Sequence, residues 1–195
     1  MSRRNVGVDA VLGCVCAASL FVLVPSVVAG PISLSDFTKD ASVDILSGGV
    51  SAVMREDPSL SPVLLYNDPV TGGPDLIVPG NQVFLVFDYQ FTEPSGNDDE
   101  FGAFVFNAVT GLSSAPFEFY TGNAGSGTIA FDLTSLSGLT LGLQFQLAAL
   151  PADSDVTSVV TVANVRTEER AIPAPLPWLL IAPWLIFGLR HPRRR

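Results

Sequence analysis

The residues best equipped for chemistry in this chain are carboxylates and aromatics, not thiols or imidazoles. The densest acidic cluster is Asn97-Asp98-Asp99-Glu100, directly after Pro94-Ser95-Gly96. Four adjacent oxygen-bearing side chains on a turn could hold Ca²⁺, which takes about 6–8 oxygens at about 2.3–2.6 Å. The spacing is not that of an EF-hand loop, and the competing reading is an ordinary solvated loop between two strands. No other cofactor is implied. The single histidine, His191, stands among C-terminal arginines, and both cysteines, Cys14 and Cys16, fall in an apolar N-terminal run. The region between them has neither an imidazole base nor a thiol. Ser-His-Asp and Cys-His hydrolysis are thereby excluded, as are the common zinc sites. A glycosidase needs only two carboxylates and stays open, although no particular Asp/Glu pair is singled out.

Sugar recognition calls for an aromatic platform with a polar edge. Both tryptophans, Trp178 and Trp184, lie near the C-terminus, so the central region offers Tyr66, Tyr89 and Tyr120. Tyr89 shares its parity with Phe87 and Phe91 and is expected in the core. Tyr66 and Tyr120 sit beside turn residues, Asn67-Asp68-Pro69 and Thr121-Gly122-Asn123, and are the candidate ligand-contacting residues.

The elements that must position these residues read as strands. In Val83–Phe91, Phe87, Tyr89 and Phe91 alternate with Asp88 and Gln90, the period of a half-buried strand. Leu139–Leu150 repeats the pattern: Leu141, Leu143, Phe145 and Leu147 share one face, while Gly142, Gln144 and Gln146 face away. Phe101–Val109, Pro116–Tyr120, Thr128–Leu133 and Val156–Val165 read likewise, and Val43–Val53 is taken as strand. Met54–Gly80 carries five prolines and is expected to be loop with short edge strands. Short strands separated by turn signals, with no sustained 3.6-residue period, predict an all-β, antiparallel β-sandwich of jelly-roll type.

Charge separates this body from its ends. The chain has 10 basic and 19 acidic residues. Arg3, Arg4, Arg190, Arg193, Arg194 and Arg195 are terminal, so Gly30–Ile172 holds 4 basic against 18 acidic residues, a net charge near -14. Such a surface repels phosphate backbones, and nucleic acid is not an expected partner.

At the N-terminus, Arg3-Arg4 precede an apolar stretch from Val11 to Val24, then Pro25-Ser26 and Val27-Val28-Ala29. This is the order of a secretory signal, with Val27 and Ala29 filling the small pockets of signal peptidase and cleavage after Ala29. A lipoprotein signal at Cys14 would leave almost no apolar region ahead of it, with Asp9 inside. The N-terminal run is also short for an uncleaved membrane anchor. The C-terminus places Pro173-Ala174-Pro175-Leu176-Pro177 before the apolar Trp178–Leu189 and a final Arg190-His191-Pro192-Arg193-Arg194-Arg195. Twelve helical residues rise about 18 Å, short of a ~30 Å hydrocarbon core, and Pro183 interrupts them. Arginines retained on the cytoplasmic side would put the acidic body across the membrane.

A proline motif, an apolar segment and a terminal arginine cluster, paired with a signal peptide, resemble the PEP-CTERM proteins of Gram-negative bacteria that make exopolysaccharide. The family's usual Pro-Glu-Pro is Pro173-Ala174-Pro175 here, and Pro175-Leu176-Pro177 fits a related variant. The resemblance covers roughly the last 25 residues. It implies processing by an exosortase-like enzyme, with Pro173–Pro177 and Arg193–Arg195 as the sorting motif and membrane attachment before processing. A second resemblance lies in Phe131-Asp132-Leu133, Leu136-Ser137-Gly138-Leu139-Thr140-Leu141 and Val162-Ala163-Asn164-Val165, which are similar to carbohydrate-binding-module sandwiches, some of which hold calcium. Ala163 replaces an aspartate frequent in that closing strand.

Together these readings predict three segments: a signal peptide helix at 1–29, a sandwich domain at 30–169, and a sorting or anchor segment at 170–195 with a short hydrophobic helix. The expected function is a non-enzymatic protein of the cell surface or extracellular matrix, associated with exopolysaccharide or biofilm. The alternatives are a carbohydrate-binding module, with or without calcium, and then a glycosidase.

Overall fold

Alternation decides which residues become strands here, because each apolar run has one parity that can be buried. The computed structural model describes residues 30–77, 83–94, 98–150 and 155–169. The cleavage residues Val27 and Ala29, the sorting motif at 173–177 and 193–195, both flanking helices and Asn97 lie outside the described residues. Within them the strands are β1 (Gly30–Pro31), β2 (Thr38–Lys39), β3 (Val43–Leu46), β4 (Ser51–Arg55), β5 (Val63–Asn67), β6 (Val83–Thr92), β7 (Asp99–Asn107), β8 (Glu118–Thr121), β9 (Gly125–Asp132), β10 (Leu141–Ala149) and β11 (Val159–Glu169). They form two antiparallel sheets. The first has the order β3-β4-β11-β6-β9, with β1 also paired to β11, and the second has the order β2-β5-β10-β7-β8.

The sheets meet through their apolar parities. Leu85, Phe87 and Phe91 of β6 face Phe101 of β7 and Leu143 and Phe145 of β10, all of them buried in one core cluster. Phe145 lies at its centre: its ring centroid is 5.1 Å from Phe87 at 78°, and 6.5 Å from each of Phe101 and Phe37. Edge-to-face and offset pairs of this kind add to the burial of large apolar area. Tyr89 packs inward as expected, 5.1 Å from Phe119 and 5.6 Å from Phe101.

Two segments depart from expectation. Val43–Val53 is not one strand: a 3-10 turn at Ser47–Gly49 splits it into the hairpin β3–β4, because Gly48 and Gly49 take φ of +67° and +95°. The proline-rich segment holds a well-buried strand, β5, which lies between β2 and β10 rather than at the edge. Pro62 and Pro69 flank it, so all five of its residues keep their backbone N–H donors, of which that of Leu64 goes to the Asp40 carboxylate.

On the outer side of the first sheet, β11 carries a bulge. Ala163 pairs with Asp88 and Arg166 with Val86, so two residues oppose one. Asn164 takes the left-handed conformation (φ 54°), which asparagine tolerates better than most residues, and its Nδ2 donates to Asp88 Oδ2 at 2.8 Å. The Thr128 hydroxyl donates to the other Asp88 oxygen at 2.6 Å. The Thr128 and Asn164 hydrogen bonds, in that order, and then the Arg166 charge hold the Asp88 carboxyl below its ordinary value of 3.8. A depressed folded-state pKa gives a contribution present above the unfolded pKa and lost as pH falls through the folded one. Asp88→Asn is therefore expected to flatten part of the melting-temperature decline below about pH 4. It should also lower neutral-pH stability, and solvent screening limits that loss to about 1 kcal/mol or less. Thermal melts of both proteins from pH 2.5 to 6 check this.

Candidate functional site

Inward parity on the second sheet leaves an outward set that is unusually aromatic and amide-rich. Because Phe101, Ala103 and Val105 of β7 are buried, Gly102, Phe104 and Phe106 face out. The same rule turns Gly142, Gln144 and Gln146 of β10 and Leu64 and Tyr66 of β5 outward. Register then brings these residues into rows across the strands. One row runs Tyr66, Gln144, Phe104, Glu118, and the next runs Leu64, Gln146, Gly102, Tyr120. The two tyrosines singled out from sequence thus share one face of one sheet.

Within this face a groove of about 380 Å³ is lined by Phe104, Phe106, Tyr120, Gln144 and Gln146, with Gly111 and Ser113. Phe104 and Tyr120 meet edge to face, 5.1 Å between centroids at 74°, and Tyr120 remains 47% exposed. The Gln144 Nε2 donates to Gln146 Oε1 at 3.3 Å. That bond leaves the Gln144 carbonyl oxygen and the Gln146 amino group to address a ligand. Tyr66 is outside the groove lining, one strand beyond Gln144 in the same row.

Two glycines make the groove possible. Gly142 pairs with Phe106, and a β-carbon there would overlap the Phe106 ring. At Gly102 a β-carbon would come within 3.0 Å of Phe104 Cζ and 3.1 Å of Gln146 Cγ. The rings therefore lie down over bare backbone instead of standing off the sheet.

The electrostatics are one-signed. Glu118 shares the Phe104 row, and Glu100 lies farther along β7, opposite Ala148. Burial first, and then the charges of Glu118 and Glu100, raise the Tyr120 hydroxyl above its ordinary 10.0. It stays protonated at neutral pH and able to donate a hydrogen bond.

The acidic run is arranged otherwise than the sequence suggested. Asp99 and Glu100 are not on a turn but are the first two residues of β7, and the strand period sends them to opposite faces: Asp99 is buried and Glu100 points outward. Asp98 precedes the strand, and its backbone carbonyl accepts from the Leu150 N–H at 2.7 Å. Among the described residues, no three of His, Cys, Asp and Glu gather as a metal-binding group. Thermal melts with and without EDTA test the calcium reading. A rise on adding Ca²⁺ after chelation would reveal a site.

A second concavity, about 320 Å³, lies beside the β11 bulge and is lined by Ile32, Gly49, Val50, Asn164, Val165 and neighbouring residues. Its wall is mostly apolar and carries no carboxylate pair. No family model matches the chain, and no curated protein does either.

Sequence reasoning reached Tyr66 and Tyr120 but missed Phe104 and Phe106. Phe101–Val109 is apolar at both parities, so periodicity could not say which phenylalanines face outward. Gln144 and Gln146 were visible as outward residues, with nothing to mark them as cross-strand neighbours of the aromatics on β7.

Proposed function

We propose that this chain is an exported, non-enzymatic surface or matrix protein whose second sheet binds uncharged polysaccharide. The observation that carries the reading is the face that joins Tyr66, Phe104, Phe106 and Tyr120 to Gln144 and Gln146. Flat aromatic surface matches the apolar faces of pyranose rings, and paired amides match vicinal hydroxyls in both donor and acceptor roles. Glu100 and Glu118 flank the groove with negative charge, which favours neutral glycans over uronate-rich or sulfated ones.

The jelly-roll reading is supported by the way the chain alternates between sheets: β4, β6, β9 and β11 fall in the first, and β5, β7, β8 and β10 in the second. Export is supported by the order of residues at the two ends: Arg3-Arg4, an apolar stretch and Val27-Val28-Ala29 at one, and the proline motif, apolar segment and arginines at the other. Cleavage after Ala29 would leave Gly30 first, and Gly30 pairs with Thr167 of β11. Glu169 of β11 pairs with Val83, four residues ahead of the proline motif at Pro173. Exosortase-type processing would then release or transfer the folded body intact. Terminal sequencing and intact mass from the native host, with and without its exosortase-like enzyme, test this. The expected mature form starts at Gly30 and ends within Pro173–Pro177 only when the enzyme is present. Recovery of the arginine tail intact in both strains would make the C-terminus a plain anchor.

A further inference from the structure

Both ends of the folded body leave through the same end of the two-sheet stack. Glu169 pairs with Val83, Gly30 pairs with Thr167, and Asp132 pairs with Phe84, so the chain enters, leaves and turns out of β9 at one extremity of the first sheet. From Asp132 the chain crosses through Leu133–Thr140 to the second sheet, where Leu141 pairs with Asn107 and the Ala108 N–H donates to the Thr140 carbonyl. The β7 turn, with its Asn107–Leu112 bridge, therefore lies at this same end. So does the turn after β5, because Asn67 pairs with Leu143.

These three connections carry aliphatic side chains at their tips. Val109 is 74% exposed, Leu112 70%, Val70 59% and Leu139 40%. Isolated exposed aliphatics are ordinary, but these four fall on three connections at the same end of the sheets.

Tether lengths say what lies opposite. Between Glu169 and the apolar Trp178–Leu189 stand eight residues, and between Val24 and Gly30 stand five. At about 3.3–3.6 Å per residue these reach at most about 29 Å and 18 Å. While either apolar segment sits in a membrane, this end of the body is held within that distance of the lipid surface. We infer that the tips Val70, Val109, Leu112 and Leu139 form a membrane-contacting surface that seats the body on a lipid bilayer before processing. The inference rests on the export-and-tether reading above. Asp68, Asp132, Glu168 and Glu169 share this end, so zwitterionic lipid is favoured over anionic lipid.

The test uses the full chain with Cys14→Ser and Cys16→Ser, carrying one nitroxide at Leu112→Cys or Leu139→Cys, reconstituted with phosphatidylcholine vesicles. Val156→Cys, at the opposite end beside the start of β11, is the reference. Collisions with oxygen and with a water-soluble nickel complex are read by spin relaxation. The expected result is higher oxygen and severalfold lower nickel accessibility at 112 and 139 than at 156. Low accessibility to both reagents would mean that protein covers the tips, and nickel accessibility equal to that at 156 would mean that they face water. Either result overturns the inference while leaving the tether in place. A chain that does not stay with the vesicles would overturn the tether reading and this contact with it.

Discussion

Phe145→Ala is expected to cost about 3–5 kcal/mol of unfolding free energy, the range for a large aromatic truncated in a core that cannot collapse around the gap. Phe145 is fully buried, and its ring touches Phe37, Phe87 and Phe101, drawn from both sheets and from the segment before β2. Its loss removes the ring against which the two inner faces close. Domains of this size hold about 5–15 kcal/mol in total, so the variant should keep a cooperative transition at a much lower urea midpoint, or not fold at all at 37 °C. Phe106→Ala, on the outer face, is the comparison. It should cost far less, because that ring is only partly buried and lies over Gly142 at the surface. A larger cost at Phe106 than at Phe145 would show that the inner and outer faces have been assigned the wrong way round, and equal costs would contradict the difference in burial.

Tyr120→Ala is expected to weaken polysaccharide binding by about ten- to sixtyfold with little change in stability. Stacking a sugar on the exposed part of the ring removes roughly 60–100 Å² of apolar surface, worth about 1.5–2.5 kcal/mol. The side chain is nearly half exposed, and the ring contact shown for it is the one with Phe104, so unfolding should shift by about 1 kcal/mol or less. Gly142→Val supplies an independent arm: its side chain would evict the Phe106 ring from the backbone it lies on and reshape the groove without touching Tyr120. Isothermal titration beside urea denaturation reads both. If Tyr120→Ala binds as tightly as the parent protein, the ring is not part of a binding platform.

The parts of this fold legible in sequence were those with one-sided chemistry. Phe87–Phe91 and Leu139–Leu147 alternate cleanly, and they became parts of β6 and β10. Each carries polar residues at its outward parity, so water and core competed for different residues. β7 is apolar on both parities, so the strand was evident while its two faces were not. The proline-rich Met54–Gly80 was taken for edge structure because proline opposes pairing. The prolines in fact bracket Val63–Asn67 and leave its backbone donors intact, so that it pairs with β2 and β10 while the Leu64 N–H donates to the Asp40 carboxylate. The acidic run misled in another way. Composition suggested a turn, whereas pairing of Asp99 with Ala149 draws it into β7 and separates it from Glu100. Long-range pairing of this kind is set by tertiary context rather than by local propensity.

The groove is the least local feature of all. Its residues come from β7, the β7–β8 connection, β8 and β10, and Gly102 and Gly142 leave the room that the Phe104 and Phe106 ring tips occupy. Nothing within a single segment announces it. Tyr66 and Tyr120 were found through their turns, and only register shows that they share a face.

The most direct test of the central claim is an array of neutral and anionic polysaccharides probed with the mature protein and with Tyr120→Ala. Binding to neutral glycans, nearly insensitive to salt and lost with Tyr120→Ala, is the predicted result. Binding confined to uronate-rich or sulfated glycans, or to none, would contradict it.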